Sequence, residues 1–306
     1  MPRARWRSPA DRAREAAALS TRWRAAAKDQ ARTNVGLVPF VGAGLSRRFG
    51  FPLWAEFLRS NAKLAEVAAE VEKRLNAGDY EGAAEVILQR REELFQLEIR
   101  HTFGREVTTP TGPVAILPRL SKGYVLTTNF DRVLEAAFVT AGNPFEAVIT
   151  GSRTDSITDA ITKNLRCLVK LHGDALERSD RILTAMEYEQ YYGKGKPGNP
   201  LLLDIFRHPM IFVGCSLLSD RPVMALKQLH RESSRTMHYA ILELPEHEDT
   251  TMDRERELAE CNIVPIWFPH GAFDTIEEIL EFLAEAAGPS TGAQGPGERE
   301  WRTGRD

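Results

Sequence analysis

Cysteine is scarce in this chain. Of 306 residues only Cys167, Cys215 and Cys261 are cysteines, and they are far apart. A tetrahedral structural zinc needs four ligands, usually in close pairs, so no such site is expected. Three unpaired thiols fit a reducing compartment. Long apolar runs are missing as well: none approaches the ~20 residues a membrane-spanning helix needs. Residues 1–33 are rich in Arg and Ala and have no apolar centre, so they do not read as a secretory signal. A formal net charge of −3 gives no overall attraction to nucleic acid. These absences set the expectation of a soluble, cytoplasmic protein with neither a membrane nor a direct nucleic-acid partner. One further absence is specific. After Gly42 and Gly44 the dinucleotide pattern G-x-G-x-x-G would need a third glycine at position 47, and Arg47 stands there. An acidic residue closing a second strand within ~20 residues is missing too, so this is not an ordinary dehydrogenase half.

The apolar share of 42% is enough for a real core. The most telling stretch is Leu37 to Ser46, where an apolar run ends at Gly42-Ala43-Gly44 and helical sequence follows near Trp54. A short apolar run of this kind reads as a buried strand. Glycines let backbone approach a ligand without Cβ clashes, and the strand–turn–helix order presents N–H groups to a phosphate. The same turn also serves plain strand–helix junctions. A second strand, Tyr124 to Thr127, ends before Asn129 and Asp131, either of which can cap the helix starting near Arg132. Residues at that end of a strand also sit where open α/β sheets bind ligands. A third strand, Cys167 to Leu171, leads into His172-Gly173-Asp174, and an imidazole there can titrate near neutral pH. A fourth, Met210 to Val213, leads into Gly214-Cys215-Ser216, where Ser216 can bond a phosphate or ribose oxygen.

Taken in order, Gly42-Ala43-Gly44-Leu45-Ser46, Thr127-Thr128-Asn129-Phe130-Asp131, Lys170-Leu171-His172-Gly173 and Val213-Gly214-Cys215-Ser216 resemble the motifs of the sirtuin-like family of NAD-consuming enzymes. The resemblance runs from about residue 35 to 285. It implies that Gly42, Ala43, Gly44 and Ser46 hold the NAD phosphates. It implies that Asn129 contacts the ribose, Asp131 helps bind the carboxamide, and His172 is the general base. Gly214 and Ser216 would lie toward the adenosine, with Thr128, Phe130 and Cys215 in contact through the same motifs. The departures are informative. A deacylase of this family carries two C-x-x-C pairs, absent here. Its usual glutamine is Thr128, and Leu53-Trp54 replaces the phenylalanine–arginine pair after the first turn. These changes resemble the bacterial branch that hydrolyses NAD+ in antiphage defence.

The expected architecture is a Rossmann-like α/β fold, a parallel sheet flanked by helices. Residues 34–287 would form the catalytic domain, with a helical insertion at 53–115 over the active site. Leu64, Val67, Val71 and Leu75, then Ala83, Ile87, Leu94 and Leu97, give the stretch Leu53 to Phe103 a helical apolar stripe. Near the carboxyl end the sequence predicts strands at 238–244 and 263–268, helices at 223–230, 253–260 and 275–287, and a disordered Gly/Pro/Ser/Thr-rich tail at 288–306. At the other end, Arg3, Arg5, Arg7, Arg12, Arg14, Arg22, Arg24, Lys28 and Arg32 make residues 1–33 a basic helical arm too weakly apolar for a core. It reads either as a solvated extension or as an arm docked on a second subunit or partner.

NAD+ as substrate, no metal and a homo-oligomer are the expectations that follow. Analogy with related defence pairs adds a separately encoded HerA-type ATPase or short Argonaute as partner. Two rival readings stand beside the hydrolase: an NAD-dependent deacylase or ADP-ribosyltransferase, and a non-catalytic nucleotide-binding subunit.

Overall fold

A computed structural model describes residues 23–33, 36–163, 165–193, 195–196, 198–217, 225–227 and 236–288. Residues 1–22, the helix predicted at 223–230 apart from 225–227, and the tail beyond 288 lie outside the described residues. Seven strands form one sheet: β1 (Val38–Val41), β2 (Val125–Thr127), β3 (Ala147–Thr150), β4 (Cys167–Lys170), β5 (Met210–Val213), β6 (His238–Glu243) and β7 (Ile263–Phe268). Their order is β3-β4-β2-β1-β5-β6-β7, and every neighbouring pair is parallel.

Parallel strands covered on both faces read as unbroken apolar runs, and β1, β2, β4 and β5 are buried at every position. Successive side chains still point to opposite faces. Leu37 and Val41 therefore enter one core with Val125, Leu168, Ile211 and Val213. Val38 and Phe40 enter the other with Leu126, Val169 and Phe212.

The first face is covered by α1 (residues 23–31), α2 (Trp54–Leu64), α3 (Ala68–Asn76), α4 (Tyr80–Phe103), α5 (Pro113–Leu120), α6 (Val133–Thr140) and the last helix. The opposite face is covered by α7 (Thr154–Thr162), α8 (Ala185–Tyr192), α9 (Gly198–Ile205) and α10 (Glu248–Ala259). The last helix, α11 (Thr275–Ala287), has the predicted bounds. Among the described residues no helix is long and apolar enough to cross a membrane.

The helical layer expected over Leu53 to Phe103 is built of three helices. Glu66 and Gly78 take left-handed φ values of 61° and 75° at the two breaks, and α4 itself kinks at Arg91. One expectation is corrected: Arg3 to Arg32 were expected to form no core, and the described part of that segment does. Trp23, Ala27 and Ala31 recur every four residues on one face of α1 and are buried, Trp23 packing edge-on to Phe282 of α11. Arg24 and Lys28 flank this face and lie over the Phe282 ring at 5.5 and 5.9 Å. A stripe this narrow needs only small residues at close approach, which is why alanines suffice.

Four strand ends are level. Val41 pairs with Thr127 and with Val213, and Thr127 pairs with Lys170. The chain leaves β1, β2, β4 and β5 along one rim, with the order reversing around β1. That is where an open α/β sheet makes a crevice.

Candidate active site

A cavity of about 540 Å³ opens on this rim. Of the residues predicted for the site, Gly42, Ala43, Ser46, Thr128, Asn129, Phe130, Asp131, His172, Gly214, Cys215 and Ser216 all line it; Gly44 does not. Leu53 and Trp54 of the helical layer, the Gly78–Glu81 turn at the start of α4, and Phe103 at its end close the other side. Trp54 stacks near Phe57 and tilts against Phe130, each with ring centroids 5.4 Å apart, while Phe103 lies 5.9 Å from Phe130. The helical layer thus forms an aromatic wall facing the strand ends.

The glycines of the two small-residue turns are explained by each other. Gly42 N–H donates to Val213 O and Gly44 N–H to Gly214 O, each at 2.9 Å. A Cβ on Gly42 would stand 2.5 Å from Gly214 O, and one on Gly44 2.9 Å from the same atom. Gly214 has a φ of +71°, which favours glycine for its own reason. Backbone therefore meets backbone where β1 and β5 end, and the rim between Ala43 and Ser216 carries little side-chain bulk. Gly44 serves this packing, with its N–H already engaged. Beyond Ser216, Leu217 has a left-handed φ of 53°, and Arg254 donates to the carbonyls of Ser216 (2.7 Å) and Leu217 (2.6 Å). That clamp holds an otherwise unfavourable turn.

The β2 end is wired by side chains. Thr127 Oγ1 donates to Val41 O at 2.8 Å and accepts from Asn129 N–H at 3.0 Å, fixing the turn to β1. Asn129 Nδ2 donates to Ser46 Oγ at 3.1 Å, while its buried Oδ1 has no protein partner. Asp131, not Asn129, bonds the start of α6: one residue ahead of the cap position Arg132, its Oδ1 accepts from Val133 N–H at 3.0 Å. Burial pushes the Asp131 carboxyl up, opposed by that N–H, by the Ser46 hydroxyl and by Lys170. Ser46 is thus shared between Asn129 and Asp131 and is itself buried.

Behind this turn lies a fully buried cation. Lys170 Nζ donates to Asp174 (2.6 Å), to Asp131 O (2.8 Å), and to Phe130 O and Glu135 (3.2 Å each). The strand position made Lys170 look like an ordinary end residue; its acceptors come from the turn after β2, from α6 and from the loop after His172. Arg181 extends the network, donating to Asp174 O, Ala175 O and the Gln96 side chain of α4. Burial lowers its guanidinium to about 10.

His172 follows β4 by two residues and faces the cavity. Gly173, at a φ of +89°, lets the chain turn where a Cβ would sit 2.3 Å from Asp180 O. Phe130 flanks the imidazole with ring centroids 6.3 Å apart, and Tyr188 of α8 hydrogen-bonds its Nε2. Its surroundings desolvate the charged form, and the imidazole is pushed down to about 4, so it is neutral at pH 7. Tyr188, Lys170, Thr127 and the aromatic wall were not among the predicted site residues. Thr127 and Lys170 stood inside the quoted motifs and Trp54 beside the first turn without a role assigned, and Tyr188 belongs to the cluster of Tyr188, Tyr191 and Tyr192. Among the described residues no group of three or more His, Cys, Asp or Glu side chains could hold a metal ion.

Residues 123–266 match the model of the SIR2-like domain. The match contains Asn129, Asp131, His172 and the Gly214 turn and begins after the Gly42 turn. The chain is 26% identical over 225 residues to the NAD(+) hydrolase ThsA of Bacillus cereus (strain MSX-D12), covering 71% of this chain and 45% of that protein. It is also 26% identical over 233 residues to the NAD(+) hydrolase ThsA of Acinetobacter baumannii (strain 532279), covering 71% and 44%. The chain spans less than half the length of either curated relative.

Proposed function

From the premise that residues 123–266 form a SIR2-like domain, we propose that this protein hydrolyses NAD+ at the bond between nicotinamide and ribose. The observation that carries the reading is the Asn129 amide. One end is fixed on Ser46 and the other is a buried acceptor without a protein partner, on a residue that lines the cavity. A buried acceptor without a partner costs about 1–3 kcal/mol. A ribose hydroxyl or the attacking water would remove that cost, in the same cavity that His172 lines.

The reaction consumes NAD+ and water and yields nicotinamide, ADP-ribose and a proton. The C–N bond breaks with its electron pair going to nicotinamide, which leaves as a neutral base. Positive charge develops on the ribose, and the water oxygen bonds to the anomeric carbon. His172, neutral at pH 7, accepts the proton. Asn129 orients the ribose and the water. Asp131 sits at the carboxamide end with its carboxylate already held by Val133 N–H. Ala43 and the Gly214–Ser216 turn take the phosphates and adenosine, where close backbone approach is possible. Trp54, Phe103 and Phe130 keep bulk water from the reacting centre.

As an effector of antiphage defence in the cytoplasm, such an activity would be toxic unless restrained. A homo-oligomer and a separately encoded HerA-type ATPase or short Argonaute are the proposed sources of that control. The test is NAD+ consumption by the purified chain, alone and with the products of adjacent genes. Release of nicotinamide without any acyl-peptide acceptor supports the hydrolase. Turnover only with such an acceptor contradicts it.

A further inference from the structure

We propose that Tyr188 is a positioning residue that sets the tautomer of His172, keeping the ring proton on Nε2 so that Nδ1 is the basic nitrogen. The proposal rests on the reading of His172 as the base. Its grounds are the grip of α8 on the end of β4. Tyr188 and Tyr192 are four residues apart and so share a face of α8. Tyr192 Oη donates to the carbonyl of Leu171 at 3.2 Å, and Tyr188 Oη meets Nε2 of the next residue. The Tyr188 and His172 rings are perpendicular, with centroids 5.3 Å apart.

The backbone around the histidine is held just as firmly. Ile182 N–H donates to His172 O, and Gly173 N–H to Lys170 O, each at 3.0 Å. The start of α8 is itself fixed, since Glu187 accepts from the N–H groups of Leu183 (2.7 Å) and Thr184 (2.9 Å). With main chain and ring both located, the imidazole has little freedom to flip.

A neutral imidazole carries one proton, and whether the partner of one nitrogen donates or accepts, as a phenol can do either, goes with which nitrogen has it. Among the described residues Tyr188 is the ring's hydrogen-bond partner, and it occupies Nε2. The nitrogen left for the ligand is Nδ1. If the phenol donated to Nε2, Nδ1 would bear the proton and could accept none. The base therefore needs the phenol oxygen as acceptor, with Nε2–H donating. In that arrangement the phenol also supports the imidazolium as it forms.

The test is the substitution Tyr188→Phe, which removes one oxygen and keeps the ring, with two readouts. Two-bond ¹H–¹⁵N spectra of the histidine rings report the tautomer directly, and His172→Ala assigns the signal among seven histidines. His172 is expected as the Nε2–H tautomer in the wild type and as a mixture in Tyr188→Phe. In NAD+ hydrolysis kcat is expected to fall about 10- to 100-fold with KM within about threefold, part of what a general base contributes. An Nδ1–H tautomer in the wild type overturns the proposal without any variant. So does an unchanged tautomer, or a kcat equal to or above wild type, in Tyr188→Phe. If the wild type does not hydrolyse NAD+, the proposed function fails, while the ring spectra still decide the tautomer.

Discussion

The two ends of the cavity are built by opposite means. At the junction of β1 and β5, glycine turns pack backbone on backbone, and the residues that line the cavity there are small. At the ends of β2 and β4, side chains do the work: a buried lysine, three carboxylates, a threonine and a serine hold the Asn129 turn and each other. The first end is a surface that tolerates almost no added atom. The second is a hydrogen-bonded network in which a single lost partner strands another. Substitutions at the first should affect fold and binding, and those at the second the chemical step.

Lys170→Met should have the largest effect on the folded state. It removes the one ammonium among Glu135, Asp174 and two carbonyls and leaves buried acceptors unpaired. Breaking a buried ion pair by removing one partner costs about 3–5 kcal/mol. Denaturant unfolding measures it; a loss under 1 kcal/mol would mean that the network carries little. His172→Ala comes next, with at least a ~100-fold fall in kcat and an unchanged fold. Near wild-type hydrolysis by that variant would remove His172 from the mechanism.

Gly42→Ala sharpens the contrast from the other side. Its Cβ would meet Gly214 O at 2.5 Å and Cys215 Sγ at 2.8 Å, and overpacking of this kind costs about 1–3 kcal/mol. The expected result is a lower melting temperature and weaker NAD+ binding, with the rate at saturation less affected. If kcat fell while binding held, the two ends would not divide the labour as described.

The pH dependence separates the regions more gently. His172 and His238 are both depressed to about 4 by burial, against an ordinary value of 6.5. The unfolded chain then binds more protons than the folded one as pH drops through 6.5. The stability these residues confer as neutral rings is full above pH 6.5 and is lost progressively toward pH 4. Unfolding free energies at pH 7, 5.5 and 4.5 test this sign. The decline should shrink in His172→Ala.

The sheet was legible because parallel strands with both faces covered are written as short apolar runs; the strands predicted at 37–41, 124–127, 167–171, 210–213, 238–244 and 263–268 all form, within a residue at either end. β3 was missed: Ala147–Thr150 is a four-residue edge strand with two positions not buried, so it lacks the apolar contrast of its neighbours. The residues that gather at the rim were legible because strand ends with glycine, asparagine and histidine are local signals. Lys170 was not, because its meaning lies in Glu135 and in carbonyls some forty residues away. Tyr188 was visible only as one of several tyrosines, since sequence gives no sign of which ring its hydroxyl meets. Trp23, Ala27 and Ala31 were hidden by the arginines around them.

The central claim is that Asn129 offers its free oxygen to the substrate at the point of bond cleavage. The direct measurement is NAD+ titration by calorimetry, paired with nicotinamide release, for the wild type and Asn129→Ala. Binding retained and hydrolysis abolished is the predicted result. A folded Asn129→Ala that hydrolyses NAD+ at a wild-type rate, or one that has lost both binding and fold, would contradict the account.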